Sequence, residues 1–251
     1  MNKAFDGKKV LITGGSKGIG KGIAQAFYSE GADVGILARS EEGLRAAKEE
    51  IGNIETCVCD VTVDRERQNA IQWFIDTFGG IDVLVNNAGG SSGGKIADTS
   101  MEEFTHAMET NYFQAVHFSK MAYEQMKERG GAVINITSIF GKEAGGKATY
   151  NNAKAALISF TKAAGNEWIK DGVRVNSIAP GSILHPTGNW QKRIEENPEA
   201  MERFVEENIP AGRFGNVEEV ADAALFLASQ EARWLVGTTL TADGGQSRMN
   251  I

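Results

Sequence analysis

Short apolar runs alternate with longer amphipathic stretches along almost the whole chain. The short runs predict strands over residues 9–13, 34–38, 56–60, 83–86, 132–137, 174–179 and 239–242. Several are continuously apolar, as in Val10-Leu11-Ile12, Val83-Leu84-Val85 and Val133-Ile134. Such runs suit strands covered on both faces, the condition of a parallel sheet. The longer stretches predict helices over residues 20–30, 41–51, 64–78, 101–129, 149–170 and 217–228. Strand–helix alternation of this kind implies crossovers that lay helices on both faces of one sheet. The expected fold class is α/β: a single-domain, doubly wound, seven-stranded parallel sheet.

One stretch breaks the rhythm. Residues 181–212 are acidic and helix-prone, hold Pro186, Pro198 and Pro210, and follow the sixth strand directly. In open α/β sheets ligands bind beyond the carboxyl ends of the strands, so this insertion is placed to cover a site. A mobile lid is the expectation, with a rigid packing appendage as the alternative.

Composition narrows the function classes. The 251 residues are 41% hydrophobic and 24% charged, and no run approaches the roughly 18 apolar residues of a membrane span. Met1 to Asp6 lead into the first strand pattern without the apolar core of a signal peptide, so a cytoplasmic protein is expected. A formal net charge of −7 argues against nucleic acid as a partner, since phosphate backbones need a basic surface. It does not forbid a local cationic pocket. Cys57 and Cys59 have no His/Cys cluster around them and read as packing residues. His106, His117 and His185 show no metal-ligand spacing, so no metal is expected.

Two local patterns carry chemistry. After the first strand, Thr13-Gly14-Gly15-Ser16-Lys17-Gly18-Ile19-Gly20 places glycines at 14, 18 and 20 before a helix begins. Glycine there permits a tight turn and close backbone approach to a pyrophosphate, and the helix N-terminus adds amide donors. Where an acid at the end of strand two would bind an adenosine ribose, this chain has Ala38 followed by Arg39 and Ser40. Arg39 can embrace a 2′-phosphate with its planar fork, with Lys17 adding a second charge, which favours NADP(H) over NAD(H). The other reading makes both residues solvated surface cations. Further on, Tyr150 and Lys154 stand one helical turn apart, twelve residues after Ser138. A phenol is a poor acid or base at neutral pH, but an ammonium on the same helix face favours its phenolate. Ser138 could hold a substrate oxygen beside it.

Together these residues resemble the short-chain dehydrogenase/reductase superfamily, whose fold is of the Rossmann type. Thr13–Gly20 is similar to its Thr-Gly-x-x-x-Gly-x-Gly loop, and Asn86-Asn87-Ala88-Gly89 to its Asn-Asn-Ala-Gly signature. Ser138, Tyr150 and Lys154 match its serine and Tyr-x-x-x-Lys, and Asn111 its asparagine. Pro180-Gly181 and Asp243-Gly244-Gly245 close the series, so the likeness runs from about Gly7 to Gly245. The resemblance implies a catalytic set of Asn111, Ser138, Tyr150 and Lys154. In it Tyr150 is general acid or base and Lys154 lowers the phenol pKa and holds the nicotinamide ribose. Ser138 orients the carbonyl and Asn111 fixes a relay water. It further implies a cofactor site of Gly14, Ser16, Lys17, Gly18, Ile19, Gly20, Arg39 and Ser40. Asp60 and Val61 would flank the adenine, Asn87, Ala88 and Gly89 the ribose and pyrophosphate, and Pro180, Gly181 and Ile183 the nicotinamide.

Some positions depart from the family pattern. Asn151 and Asn152 follow the tyrosine where serine and alanine are commoner, residues 90–94 are glycine-rich, and Thr187 comes late after Pro180-Gly181. Ser92, Phe140, Leu184, His185 and Trp190 are the candidates for a substrate pocket, on position alone. The overall form most resembles 3-oxoacyl-carrier-protein reductases and kindred keto-reductases or sugar dehydrogenases, which implies a ketone/secondary-alcohol oxidoreductase. A carrier-protein reductase, an epimerase or dehydratase, and a non-catalytic NADP-binding sensor are the alternatives. Apolar stripes on the helices at 101–129 and 149–170 exceed what the sheet needs, and by the resemblance they pair across a two-fold axis in a homotetramer.

Overall fold

The computed structural model describes residues 3–250; Met1, Asn2 and Ile251, and with them the first two residues of the N-terminal reading, lie outside this range. Seven strands form one sheet in the order β3-β2-β1-β4-β5-β6-β7. They are β1 Lys9–Thr13, β2 Asp33–Ala38, β3 Glu55–Val58, β4 Val83–Asn86, β5 Gly131–Ile136, β6 Val173–Pro180 and β7 Thr239–Ala242. All neighbouring pairs are parallel. The helices are α1 Gly18–Ser29, α2 Glu41–Ile51, α3 Asp64–Phe78, α4 Met101–Met108, α5 Gln114–Met126, α6 Ala148–Trp168, α7 Asn189–Glu196, α8 Pro198–Asn208 and α9 Val217–Ala228.

The continuous apolar runs are split between two cores. Val10 and Ile12, Val83 and Val85, and Ile134 and Ile136 face one side, where they meet α1, α2 and α9. Leu11, Leu84 and Val133 face the other, against α3, α5 and α6. Successive side chains on a strand point to opposite faces, so covering both sides demands an apolar residue at every position. Cys59, just beyond β3, is buried in the second core with Cys57 packed beside it. Burial pushes the Cys59 thiol up to about 12, so it is an inert packing group.

The structure corrects the sequence expectation at two places. The third strand spans 55–58 rather than 56–60, although Cys59 N–H still donates to Ala38 O at 2.9 Å. The single helix expected over 101–129 is interrupted by a π-helical segment, Glu109–Phe113. There the Asn111 side-chain amide takes the carbonyl of Ala107, one turn back, at 2.9 Å. A side chain that competes for a ladder carbonyl favours such a local widening, and π-turns cluster at functional sites. Among the described residues no helix is long and apolar enough to cross a membrane.

Candidate active site

The strand order reverses between β1 and β4, and the crevice beyond their carboxyl ends is where an open α/β sheet takes a ligand. Thr13 builds this crevice. Its buried hydroxyl accepts from the N–H groups of Asn87 and Ala88, each at 3.0 Å, while the Asn87 amide donates to the carbonyls of Thr13 and Gly14. The two loops therefore lie almost in contact. Gly14 has φ +67°, and a Cβ on it would stand 2.9 Å from Ala88 Cα. On Gly20 a Cβ would come within 2.4 Å of both the Gly14 carbonyl and the Asn87 amide. Only glycine allows this crossing.

A cavity of about 750 Å³ runs along the crevice. At one end lie Ser16, Lys17, Gly18 and Ile19 of the glycine loop, with Arg39 and Ser40 beyond β2. No side chain caps the N-terminus of α1, so its first amides are donors facing the loop. Ser40 caps α2, accepting from Gly43 N–H at 3.1 Å. Asp60 and Val61 form the next stretch of wall with Thr62. The Thr62 backbone N–H, and after it the Thr62 hydroxyl, Arg39 and His106, hold the Asp60 carboxyl below its usual range against the effect of burial. Free amides, two cations and a glycine crossing suit a diphosphate ligand with further phosphate at its outer end.

At the other end stand Ser138, Tyr150 and Lys154, on the same cavity wall. Lys154 is 3% exposed, and its ammonium donates to Ile136 O at 2.8 Å and lies 5.5 Å from the Tyr150 ring centroid. Ser138 caps a short 3₁₀ turn, its hydroxyl accepting from Phe140 N–H at 3.2 Å. Burial lowers Lys154 to about 8, which still leaves it mostly protonated at neutral pH. Burial pushes the Tyr150 phenol above its ordinary value, and a hydrogen bond with Ser138 pulls it back. In this structure desolvation of the phenol outweighs the Ser138 bond. Asn111 is fully buried behind the wall. Its carbonyl accepts from Gly90 N–H at 3.0 Å and its amide donates to Gly90 O at 2.9 Å, so it holds the loop in front of Lys154.

Residues 14–247 match the family model described as enoyl-(acyl carrier protein) reductase. An uncharacterized oxidoreductase of Thermotoga maritima is 36% identical, over 97% of this chain and 98% of its own length. The 3-oxoacyl-[acyl-carrier-protein] reductase of Vibrio cholerae is 37% identical, over 96% of this chain and 98% of its own. The L-fucose dehydrogenase of Bos taurus is 36% identical, over 98% and 91%. The chain belongs to the short-chain dehydrogenase/reductase superfamily. It is an oxidoreductase of that superfamily.

Most residues that resemblance to the superfamily singled out meet at one cavity. Gly14, Asn87, Ala88, Gly89, Pro180 and Gly181 line it together with the groups above. Gly20 is the crossing behind it, and Ile183 is a core residue paired with Gly215 in an isolated bridge. The substrate candidates divide. Ser92 and His185 line the cavity, and the His185 ring rests on Gly18, where a Cβ would come within 2.9 Å of it. Burial, and next Lys17, pull this imidazole below its ordinary value. Phe140, Leu184 and Trp190 do not line the cavity. Phe140 lies over Gly145 and Gly146, and Trp190 stacks on Phe204 at 4.8 Å and meets Phe214 at 5.2 Å. Sequence reasoning passed over His106, Thr110, Ser91 and Asn189, which also line it. Ser91 stood beside Ser92 in a loop already singled out; nothing local marks the others. Among the described residues no group of three His, Cys, Asp or Glu side chains could hold a metal.

Proposed function

We propose that the protein is an NADP(H)-dependent oxidoreductase interconverting a ketone and a secondary alcohol, with Tyr150 as general acid and base. The observation that carries this reading is the placement of Tyr150, Lys154 and Ser138 on the wall of the same cavity that begins at the glycine loop. A nicotinamide bound there would supply the hydride donor or acceptor. The chain itself manages the proton. In reduction the Tyr150 hydroxyl gives its proton to the substrate oxygen, and in oxidation the phenolate takes the alcohol proton. Ser138 can orient that oxygen, and the Lys154 ammonium stabilises the phenolate as it forms. Arg39 and Lys17 favour a 2′-phosphate, and Gly14, Ser16, Gly18, Ile19, Asn87 and Gly89 would hold the diphosphate and riboses.

Residues 181–212 act as the lid in this reading. Neither α7 nor α8 has a fully buried residue; Trp190 stacks on Phe204 and meets Phe214, while Ile183 and Ile209 anchor the two ends of the segment in the fold. Assembly as a homotetramer is supported by a groove of about 530 Å³ on α5 and α6, lined by Tyr123, Phe160 and Trp168, and by Trp234, 93% exposed ahead of β7. Light scattering of the purified chain tests the assembly.

A panel of carbonyl and alcohol substrates, followed by NADPH absorbance, tests the activity. Turnover that disappears in Tyr150→Phe supports the reading; cofactor binding without turnover on any substrate favours a sensor. Arg39→Asp should weaken NADPH far more than NADH, and an unchanged preference would defeat the NADP(H) assignment.

A further inference from the structure

Of residues 181–212, Gly181, His185 and Asn189 reach the cavity wall, and His185 alone among them carries a titratable side chain. It follows directly on the stretch where the segment is tied to the fold: Ile183 pairs with Gly215, and Leu184 N–H donates to Gly215 O at 2.8 Å. The chain then turns back, with Gly188 N–H donating to His185 O at 2.9 Å. The imidazole is held between two glycines. A Cβ on Gly18 would stand 2.9 Å from both Cε1 and Nε2, and one on Gly188 would stand 2.8 Å from Nε2. Gly18 opens α1, whose first amides have no side-chain cap, and Lys17 precedes it. A side chain of the lid therefore lies on the glycine loop, where those amides would meet a diphosphate. Nδ1 lies 3.3 Å from the Thr187 hydroxyl, which leaves Nε2, on the Gly18 side of the ring, for a ligand.

We infer that His185 is a ligand of the cofactor diphosphate rather than of the substrate, and that its imidazole takes up a proton from solvent as the dinucleotide binds, latching the lid to the glycine loop. The inference rests on the NADP(H) reading and deepens it. A neutral imidazole offers an anion one N–H, whereas an imidazolium offers two and a full charge. Without the cofactor, burial and next Lys17 disfavour the charged ring. Lys17 is the charged group that acts on it; Arg39, Asp60, His106, Tyr150 and Lys154 line the same cavity without doing so, and the lid turn adds the neutral Thr187 and Asn189. A diphosphate against Gly18 reverses this balance, because a nearby opposite charge favours the protonated form. By linkage, a ligand that raises the proton affinity of a site is itself held more tightly as the pH falls through that site's range.

Isothermal titration calorimetry of the full chain and of His185→Gln with NADPH, at about pH 6 and about pH 8, brackets the histidine range and tests this. The 2′-phosphate titrates near pH 6 as well, but it does so with both proteins, so the comparison is between them. The change in affinity from the higher to the lower pH should favour the wild type over the variant by about tenfold, the effect of moving one histidine pKa by about one unit. At about pH 7 the wild type should also take up more protons per cofactor, read from the dependence of the heat on the buffer's ionisation enthalpy. If thermal unfolding shows the glutamine variant to have lost its fold, His185→Phe fills the same space without a charge and takes its place. A wild-type advantage under about threefold, or equal proton uptake, overturns the inference and leaves the NADP(H) reading standing. Failure of the wild type to bind NADPH at either pH overturns both.

Discussion

Lys154→Met should stabilise the protein while abolishing its activity. The Lys154 ammonium is 3% exposed and is pulled by burial from 10.5 to about 8. The folded pKa lies below the unfolded one, so between pH 8 and pH 10.5 the unfolded chain binds more protons. Wild-type stability therefore rises with pH across that window, and the full cost of the buried charge is felt below it. At about 1.4 kcal/mol per pKa unit the cost is ~3 kcal/mol. Methionine keeps most of the stem volume but loses the 2.8 Å bond to Ile136 O, worth about 1.5 kcal/mol at the low end for a charged donor. About 1–2 kcal/mol remains in favour of methionine, or roughly 2–8 °C in Tm for a chain of this size. Differential scanning calorimetry at neutral pH reads the gain, and repeating it at rising pH reads its cause, since the gap should narrow as the wild-type lysine loses its proton. A variant Tm at or below wild type, or a gap that does not narrow, would refute the view that the fold carries a costly charge for the sake of chemistry.

Other substitutions probe the scaffold. Thr13→Val leaves the half-buried N–H groups of Asn87 and Ala88 without their acceptor and should cost about 2 kcal/mol in urea unfolding; a loss under about 0.5 kcal/mol would deny Thr13 its bridging role. Gly20→Ala puts a methyl 2.4 Å from Gly14 O, so the two loops must part and NADPH affinity should fall by at least about tenfold, or ~1.4 kcal/mol, in a fluorescence titration. Arg67, 7% exposed, donates to Val61 O at 2.7 Å, Asp64 at 2.9 Å and His117 at 2.8 Å. Arg67→Leu should cost about 2 kcal/mol in urea unfolding and raise the KM for NADPH more than it lowers kcat, because Val61 lines the cavity; a pure kcat effect would contradict that placement.

What could be read from the chain alone follows from how each residue is positioned. Gly14, Asn87, Ser138 and Pro180 sit at or just beyond strand ends, and the parallel register of β1, β4, β5 and β6 brings those ends together whatever the loops do. Local sequence fixes the strand, the sheet fixes the rest, and so the glycine loop and the Ser138–Tyr150–Lys154 set were legible. Asn111 was legible as a residue but not as a conformation, because its π-turn depends on a bond to Ala107 within the helix and on Gly90 in a distant loop. Phe140 and Trp190 stand off the cavity wall for a different reason. Their neighbours in the sequence lie at the site, but their side chains are claimed by partners such as Gly145, Phe204 and Phe214 that only tertiary packing reveals. An aromatic side chain buries itself wherever apolar surface is offered, and for Trp190 that surface is Phe204 and Phe214. The reaction class is written in strand-end motifs, whereas the choice of which side chains line the cavity is made by packing rather than by any local pattern.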